Sequence, residues 1–368
     1  MLRWILALVF AFLAAGTSAE TRRTSVGSAN VDRMIGGLDT PWAIAFISDR
    51  SYFITERDGA LYLVQDGAAR AVSGLPEVWA EGQGGLLDVA VANDFASSKV
   101  IYLTFAEPRS GGAGTALATA TLDPESATLS DLTVIFRQSD PSWAGRHFGS
   151  RIVEARDGTL FVSVGDRADR DMAQSLESHK GKILRVGHDG RVPSDNPFVG
   201  QGGALPEIWS YGHRNPQGMA ISPDGRLWTV EHGPRGGDEI NTPAAGQNYG
   251  WPLISYGEEY TGGKVGLGVS APGLKQPLHY WDPSIAPSSL MIYSGKLWPE
   301  WRGDLFVGSL KIDMISRLSA SGSAVEEVER LFEGVYPRIR DIQEAPDGTI
   351  WFLSENDGAA YRISPASR

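Results

Sequence analysis

A recurring Asp-Gly turn, a near absence of helical periodicity and abundant glycine and proline predict an all-β chain of repeated small sheets, a β-propeller. The turn phrase is Asp-Gly followed by an apolar run. It occurs as Asp58-Gly59 before Ala60 to Val64, and as Asp157-Gly158 before Thr159 to Val162. Further copies are Asp224-Gly225 before Arg226 to Val230, and Asp347-Gly348 before Thr349 to Leu353. Weaker versions stand at Asp189-Gly190 and Asp357-Gly358. Glycine takes positive φ at no steric cost, so Asp-Gly between two strand-like runs makes a hairpin. Another apolar stretch precedes most copies, as at Trp42 to Ile47 and Gly218 to Ile221. The four strong copies lie 99, 67 and 123 residues apart. That fits skipped copies and inserted loops on a unit of roughly 50–60 residues, about six in all. Each unit then becomes a four-stranded blade around a central channel. The alternative, a two-sheet sandwich, rarely needs so long a chain. Only Gln174 to Lys180 reads as a helical turn or two. No compositional break divides residues 20–368, which are expected to form a single domain.

The chain has 368 residues, with 44 acidic against 33 basic side chains and a net charge of −11. Such an acidic chain without a basic block argues against nucleic acid or an anionic membrane as the main partner. Cysteine is absent, which excludes disulfides, thiolate metal sites and cysteine nucleophiles. The first nineteen residues have the pattern of a secretory leader: Arg3, an apolar run from Trp4 to Ala15, then Thr17-Ser18-Ala19 before Glu20. The run is too short to span a bilayer. The expectation is a periplasmic or secreted protein with no membrane span.

Function in such a fold sits in the long connections. Four are dense in polar residues and glycine. The first is Glu81-Gly82-Gln83-Gly84-Gly85, and the second runs from Gly145 through His147 to Arg151. The third runs from Tyr211 through Arg214 and Asn215 to Gly218, and continues at Glu231 to Glu239. The fourth is Tyr336 to Asp341. His147, between glycines, is a candidate general base or an ordinary hydrogen-bonding histidine. Arg338 and Arg340 alternate on a strand-like stretch and share one face. They suit a bound anion or, alternatively, pairs with Asp341 or Glu344. Lys311 ends an apolar run and adds a third cation. Gly233-Pro234 beside Asp238 and Glu239 offers oxygens to a hard cation such as Ca²⁺, or is only a polar turn. Zinc spacings, a nucleophile elbow and phosphate loops are all missing. Most of the eleven Trp are expected in blade cores.

Together these segments resemble the soluble pyrroloquinoline quinone (PQQ) sugar dehydrogenases, and within them the aldose sugar dehydrogenase branch. The resemblance runs from about Leu38 to Ile363. It rests on Gly82-Gln83-Gly84-Gly85, His147-Phe148-Gly149-Ser150-Arg151, Gly212 to Gly218, Gly233-Pro234, Asp238-Glu239-Ile240-Asn241, Asn248-Tyr249-Gly250-Trp251-Pro252, Ser309-Leu310-Lys311 and Arg338-Ile339-Arg340-Asp341. It implies six blades and His147 as the base that takes the anomeric proton. It implies Gln83 beside quinone and substrate, and Arg214 and Asn215 as cofactor contacts, with Arg214 near the reactive carbonyl. Lys311, Arg338 and Arg340 would hold the cofactor carboxylates, and Trp281 would line its ring. Gly233 and Pro234 would give carbonyl ligands to the Ca²⁺ at the cofactor, and Glu239 and Tyr249 would bind a second, structural Ca²⁺. Arg146 stands where the glucose-oxidising branch has Asp, so a broad aldose range is expected. The implied partners are an aldose and an external electron acceptor, with a monomer or weak dimer as the assembly. A Ca²⁺-dependent lactonase and a non-catalytic glycan- or protein-binding propeller stand as alternatives.

Overall fold

The computed structural model describes residues 20–321 and 324–366, so the leader assigned to residues 1–19 lies outside the described residues. Six antiparallel sheets stand in a ring, making a six-bladed β-propeller. Five have four strands; the sixth has five. The innermost strands are Pro41–Ser48, Leu86–Val91, Ile152–Glu154, Pro216–Ile221, Pro287–Ile292 and Ile339–Glu344, and neighbouring blades touch through them. We number the blades 1 to 6 in that order.

Three of the four strong Asp-Gly turns, at 157, 224 and 347, join an innermost strand to its neighbour. Asp58-Gly59 instead joins the second and third strands of blade 1, Ser51–Glu56 and Leu61–Gln65. The uneven spacing of the copies therefore has two causes. The first and last intervals each span two blades, and the first copy is out of phase with the rest.

The ring closes where the chain's two ends meet. Gly27–Gly36 pairs with Ala359–Pro365 on the outside of blade 6, and Glu20–Thr24 adds a fifth strand beyond it. Among the described residues, helix is confined to the four residues Phe95–Ser98 and the 3₁₀ turns Arg170–Ala173 and Pro299–Trp301. Gln174 to Lys180 is not helical, contrary to expectation. Its polar groups bond outward: the Leu176 carbonyl accepts from Leu205 N–H at 2.8 Å, and Ser178 donates to Asp140 at 2.6 Å. No helix among the described residues is long and apolar enough to cross a membrane.

Apolar clusters fill the space between blades, such as Trp42, Phe53, Leu63, Leu103 and Phe105 between blades 1 and 2. On the axis a single guanidinium joins all six. Arg151, only 4% exposed, precedes the inner strand of blade 3. It lies over the Trp42 ring of blade 1 at 4.7 Å and donates to Asp88 of blade 2 at 2.9 Å. It also donates to the Gln217 carbonyl of blade 4 at 3.1 Å and the Ser288 carbonyl of blade 5 at 3.5 Å. Asp341 of blade 6 lies 3.2 Å away. Asp88 and Asp341 accept in turn from Ile152 N–H at 2.7 Å and Ile44 N–H at 2.9 Å, locking neighbouring inner strands. The ion cluster is buried, but each charge has partners, as burial demands.

Candidate active site

The long connections gather at one mouth of the channel. His147 lies on the connection from blade 2 to blade 3. Its backbone is left-handed, with φ 58°, followed by Gly149 at 65° and Ser150 at 79°. A non-glycine residue there is strained and must be held by its surroundings. Phe148 supplies one hold: its ring is buried under the Arg167 guanidinium at 3.3 Å, and its carbonyl accepts from Thr115 at 2.8 Å. Gln83 supplies another, its side-chain carbonyl accepting from the His147 N–H at 2.8 Å. Arg167 donates to the Ala144 carbonyl at 2.6 Å and also bonds the Arg146 carbonyl, strapping the segment before His147. Gly165 must lack a side chain, because a Cβ there would sit 2.2 Å from the His147 carbonyl.

That close approach puts Asp166 under the imidazole. Its Oδ1 lies 2.6 Å from His147 Nδ1 and accepts from Ala168 N–H at 2.8 Å; its Oδ2 accepts from the Trp251 indole at 2.8 Å. Burial pushes the Asp166 carboxyl up, but His147, Arg214 and the Ala168 N–H together outweigh it and the group stays below its usual range. An ionised carboxylate only accepts, so Nδ1 carries the proton and Nε2 keeps a lone pair. Burial holds His147 below its usual pKa, against the pull of Asp166 and with the help of Arg214 and Arg146. The ring is therefore a neutral base bordering the cavity.

Two spaces that share Gln83, His232 and Ala286 in their walls occupy the mouth. The outer, about 730 Å³, is bordered by Gln83, His147, Arg214, Gly233, Pro234 and Lys311. The inner, about 200 Å³, is bordered by Gln83, Asn215, His232, Arg338 and Arg340. Thus nine of the residues singled out from sequence converge here: His147, Gln83, Arg214, Asn215, Gly233, Pro234, Lys311, Arg338 and Arg340. Arg214 is mostly buried, with its guanidinium 5.3 Å over Trp251 and its Nε without a hydrogen-bond partner. The Asn215 side-chain carbonyl accepts from Gly149 N–H at 3.1 Å, tying the His147 loop to blade 4. Arg338 and Arg340 do meet, but on neither acid expected from their spacing. Arg338 precedes its strand with φ 51°, a bulge follows, and both guanidiniums reach Glu355 at 3.3 and 3.1 Å. Asp341 goes to Arg151 instead, and Glu344 to Ser294.

Gly233 and Pro234 turn past the outer space. A Cβ on Gly233 would meet the Gly236 carbonyl at 2.2 Å, so the turn requires glycine. Neither the Gly233 nor the Pro234 carbonyl accepts a hydrogen bond from the described residues. Glu239 and Tyr249 border a separate small space behind them, with Glu231. Burial, then the charge of Glu231, pushes the Glu239 carboxyl well up. The Tyr249 hydroxyl is engaged elsewhere, donating to the Thr242 carbonyl at 2.5 Å. Among the described residues no three His, Asp or Glu side chains cluster as metal ligands, so a cation here would depend on carbonyls.

Trp281 is a correction. It sits in the outermost strand of blade 4, His279–Trp281, packed in the core with Val230, Ile240 and Ile285. It borders neither space of the mouth. Sequence reasoning gave no role to Asp166, which braces His147, or to Glu355, His232 and Arg57, which border the inner space. Asp166 and Glu355 each follow an apolar strand, Thr159–Val164 and Ile350–Ser354, and that position was the available signal. His232 donates from Nε2 to the Pro287 carbonyl at 2.7 Å, and burial lowers its pKa to about 3, so it is a neutral ring.

Fold and site together define a six-bladed propeller whose axial mouth pairs an imidazole base with a cluster of guanidiniums. The chain belongs to the Glucose / Sorbosone dehydrogenase family, whose profile matches residues 38–362. It is 42% identical over 344 residues to aldose sugar dehydrogenase YliI of Escherichia coli, covering 91% of this chain and 93% of that one. The crystal structure of the soluble aldose sugar dehydrogenase from Escherichia coli in the apo-form superposes with a TM-score of 0.89 at 42% identity, covering 92% of this chain and 100% of that one. The PQQ-bound form of the aldose sugar dehydrogenase from Streptomyces coelicolor superposes with a TM-score of 0.75 at 26% identity, covering 91% and 98%.

Proposed function

We propose that the protein is a PQQ- and Ca²⁺-dependent dehydrogenase that oxidises aldoses at the anomeric carbon to lactones. The observation that carries this reading is the neutral, Asp166-braced His147 beside a space bordered by Arg214, Lys311, Arg338 and Arg340. The residues fit the group. PQQ is a flat o-quinone with three carboxylates. Arg338, Arg340 and Lys311 would hold these, and the orphaned Nε of Arg214 is a donor awaiting an acceptor. The two free carbonyls of Gly233 and Pro234 would hold Ca²⁺ at the cofactor. Glu239 and the backbone at Tyr249 would hold a second ion, which would relieve the crowding of Glu239 and Glu231. When bound, PQQ supplies the two-electron oxidant and Ca²⁺ a Lewis acid beside it.

The chain does the rest. Nε2 of His147 takes the proton of the anomeric hydroxyl as the hydride leaves C1. Asp166 stabilises the imidazolium that forms, and Trp251 keeps Asp166 ionised and aimed. Gln83 fixes the backbone of the base. A positioned base of this kind contributes about 10²–10⁴-fold in rate. The leader-like sequence supports an exported, periplasmic or secreted enzyme, a monomer or weak dimer. An external acceptor would reoxidise the cofactor.

The test is reconstitution of purified protein with PQQ and Ca²⁺, followed by absorbance spectra before and after an aldose panel. Conversion of bound quinone to quinol on adding sugar is expected. A protein that takes up no PQQ in saturating Ca²⁺ overturns the reading.

A further inference from the structure

The inner space has fewer free charges than its arginines imply. Arg338 and Arg340 share Glu355, so the three groups carry one net positive charge between them. Lys311 and Arg214 border the outer space, not the inner one. His232 is neutral. A ligand with several carboxylates therefore finds little uncompensated charge at this end from the residues assigned so far.

One further cation borders the inner space, Arg57 of blade 1. It follows the strand Ser51–Glu56, and its backbone is pinned on both sides. Its N–H donates to the Thr40 carbonyl at 3.1 Å, and its carbonyl accepts from Leu86 N–H at 2.9 Å. Its stem lies against Gly85, where a Cβ would come within 1.8 Å of the Arg57 carbonyl and 2.7 Å of its Cγ. The bare backbone at Gly85 thus lets Arg57 close on the Gln83 loop. The head group is different. Its Nε is buried without a partner, and the guanidinium makes no hydrogen bond or ion pair with any described residue. Among the other enclosed arginines, Arg151, Arg185, Arg317 and Arg340 each have a carboxylate, and Arg167 and Arg214, which have none, donate to backbone carbonyls instead. A buried donor left unmade is costly, whereas a charge-assisted bond to a carboxylate is among the stronger contacts available.

We infer that Arg57 is a further anchor of the cofactor, bonding a carboxylate of the anionic quinone from blade 1 while the Arg338–Arg340 pair bonds from blade 6. This rests on the function proposed above. It makes Glu355 a charge-balancing group for its two arginines and Arg57 the uncompensated cation that the ligand neutralises.

The test is equilibrium binding of PQQ to the cofactor-free protein in saturating Ca²⁺, read by quenching of tryptophan fluorescence rather than by turnover. Arg57→Met is expected to weaken binding about tenfold or more, and Arg57→Lys to recover part of that loss. The affinity of the wild type should also fall more steeply with salt than that of Arg57→Met. The trimethyl ester of PQQ, which lacks the charges, should not distinguish the two proteins. Thermal unfolding of the cofactor-free Arg57→Met protein should match the wild type, which separates a binding defect from a folding one. Wild-type binding with an unchanged affinity in Arg57→Met overturns the Arg57 assignment alone. Failure of the wild type to bind PQQ overturns the functional reading and this assignment with it.

Discussion

Nδ1 of His147 and Oδ1 of Asp166 lie 2.6 Å apart, although the two residues belong to different connections. One stands before the inner strand of blade 3, the other after that blade's second strand. The pair exists because Gly165 lets the second connection pass directly beneath the first. The same carboxylate is gripped by the Trp251 indole, which comes from the long excursion of blade 4. Three segments therefore meet to set one tautomer.

Replacing the base should separate binding from chemistry. His147→Ala is expected to fold and take up PQQ but lose about 10²–10⁴-fold in kcat. Asp166→Asn keeps the shape but not the charge, so kcat should fall while KM changes little. Steady-state kinetics of reconstituted protein check both. A variant with wild-type kcat at position 147 would remove it from the chemistry.

The pH profile carries a definite sign. His147 must be neutral to accept a proton, and burial holds its pKa below the usual 6.5. The acid limb of kcat/KM should therefore lie below pH 6.5. Asp166 is the group that pulls this pKa up, so in Asp166→Asn the residual activity should persist to still lower pH. A limb moving towards neutrality in that variant would contradict the arrangement.

Glu355 offers a test of charge balance. It is held below its usual range, despite burial, by Arg340 and Arg338. Glu355→Gln should destabilise the cofactor-free protein by about 3 kcal/mol at most, because Arg338 is 37% exposed and water screens its share. The stabilisation from Glu355 is full above its unfolded pKa near 4.5 and disappears as pH falls through the lower folded value. The gap between the two proteins in thermal unfolding should shrink accordingly in acid. Adding PQQ should raise the unfolding midpoint more in Glu355→Gln than in the wild type.

Arg151 tests the hub. Arg151→Met leaves Asp88 and Asp341 buried without their shared cation, and about 3–5 kcal/mol of stability should go with it. The midpoint of denaturant unfolding should drop at pH 7. A midpoint within error of wild type would mean that the axis does not depend on this guanidinium.

The propeller was legible because Asp-Gly turns and apolar runs are local signals, each readable within ten residues. The blade phase was not, since nothing in Asp58-Gly59 says which pair of strands it joins. The mouth was legible where connections carry unusual residue types, as around His147, Arg214 and Arg338. Partner acids were not: Glu355 reaches Arg340 across a hairpin, and Asp166 reaches His147 only through the bare backbone of Gly165. Trp281 misled because an aromatic side chain beside a polar loop serves core and cavity equally well in sequence. Which side it faces depends on the strand it ends up in, here the outermost of its blade.

The seam in blade 6 has a consequence for synthesis. Gly27–Gly36 leaves the ribosome well before its partner Ala359–Pro365, with five blades between them. Blades 1 to 5 are contiguous in the chain and can assemble in order of emergence. Until then the early strand can pair only with its hairpin neighbour Glu20–Thr24, and its other hydrogen-bonding edge stays open. The circle thus closes only once Ala359–Pro365 has been made, and a chain truncated before residue 359 would have blades 1 to 5 whole but a sixth blade lacking the strand that joins its two parts.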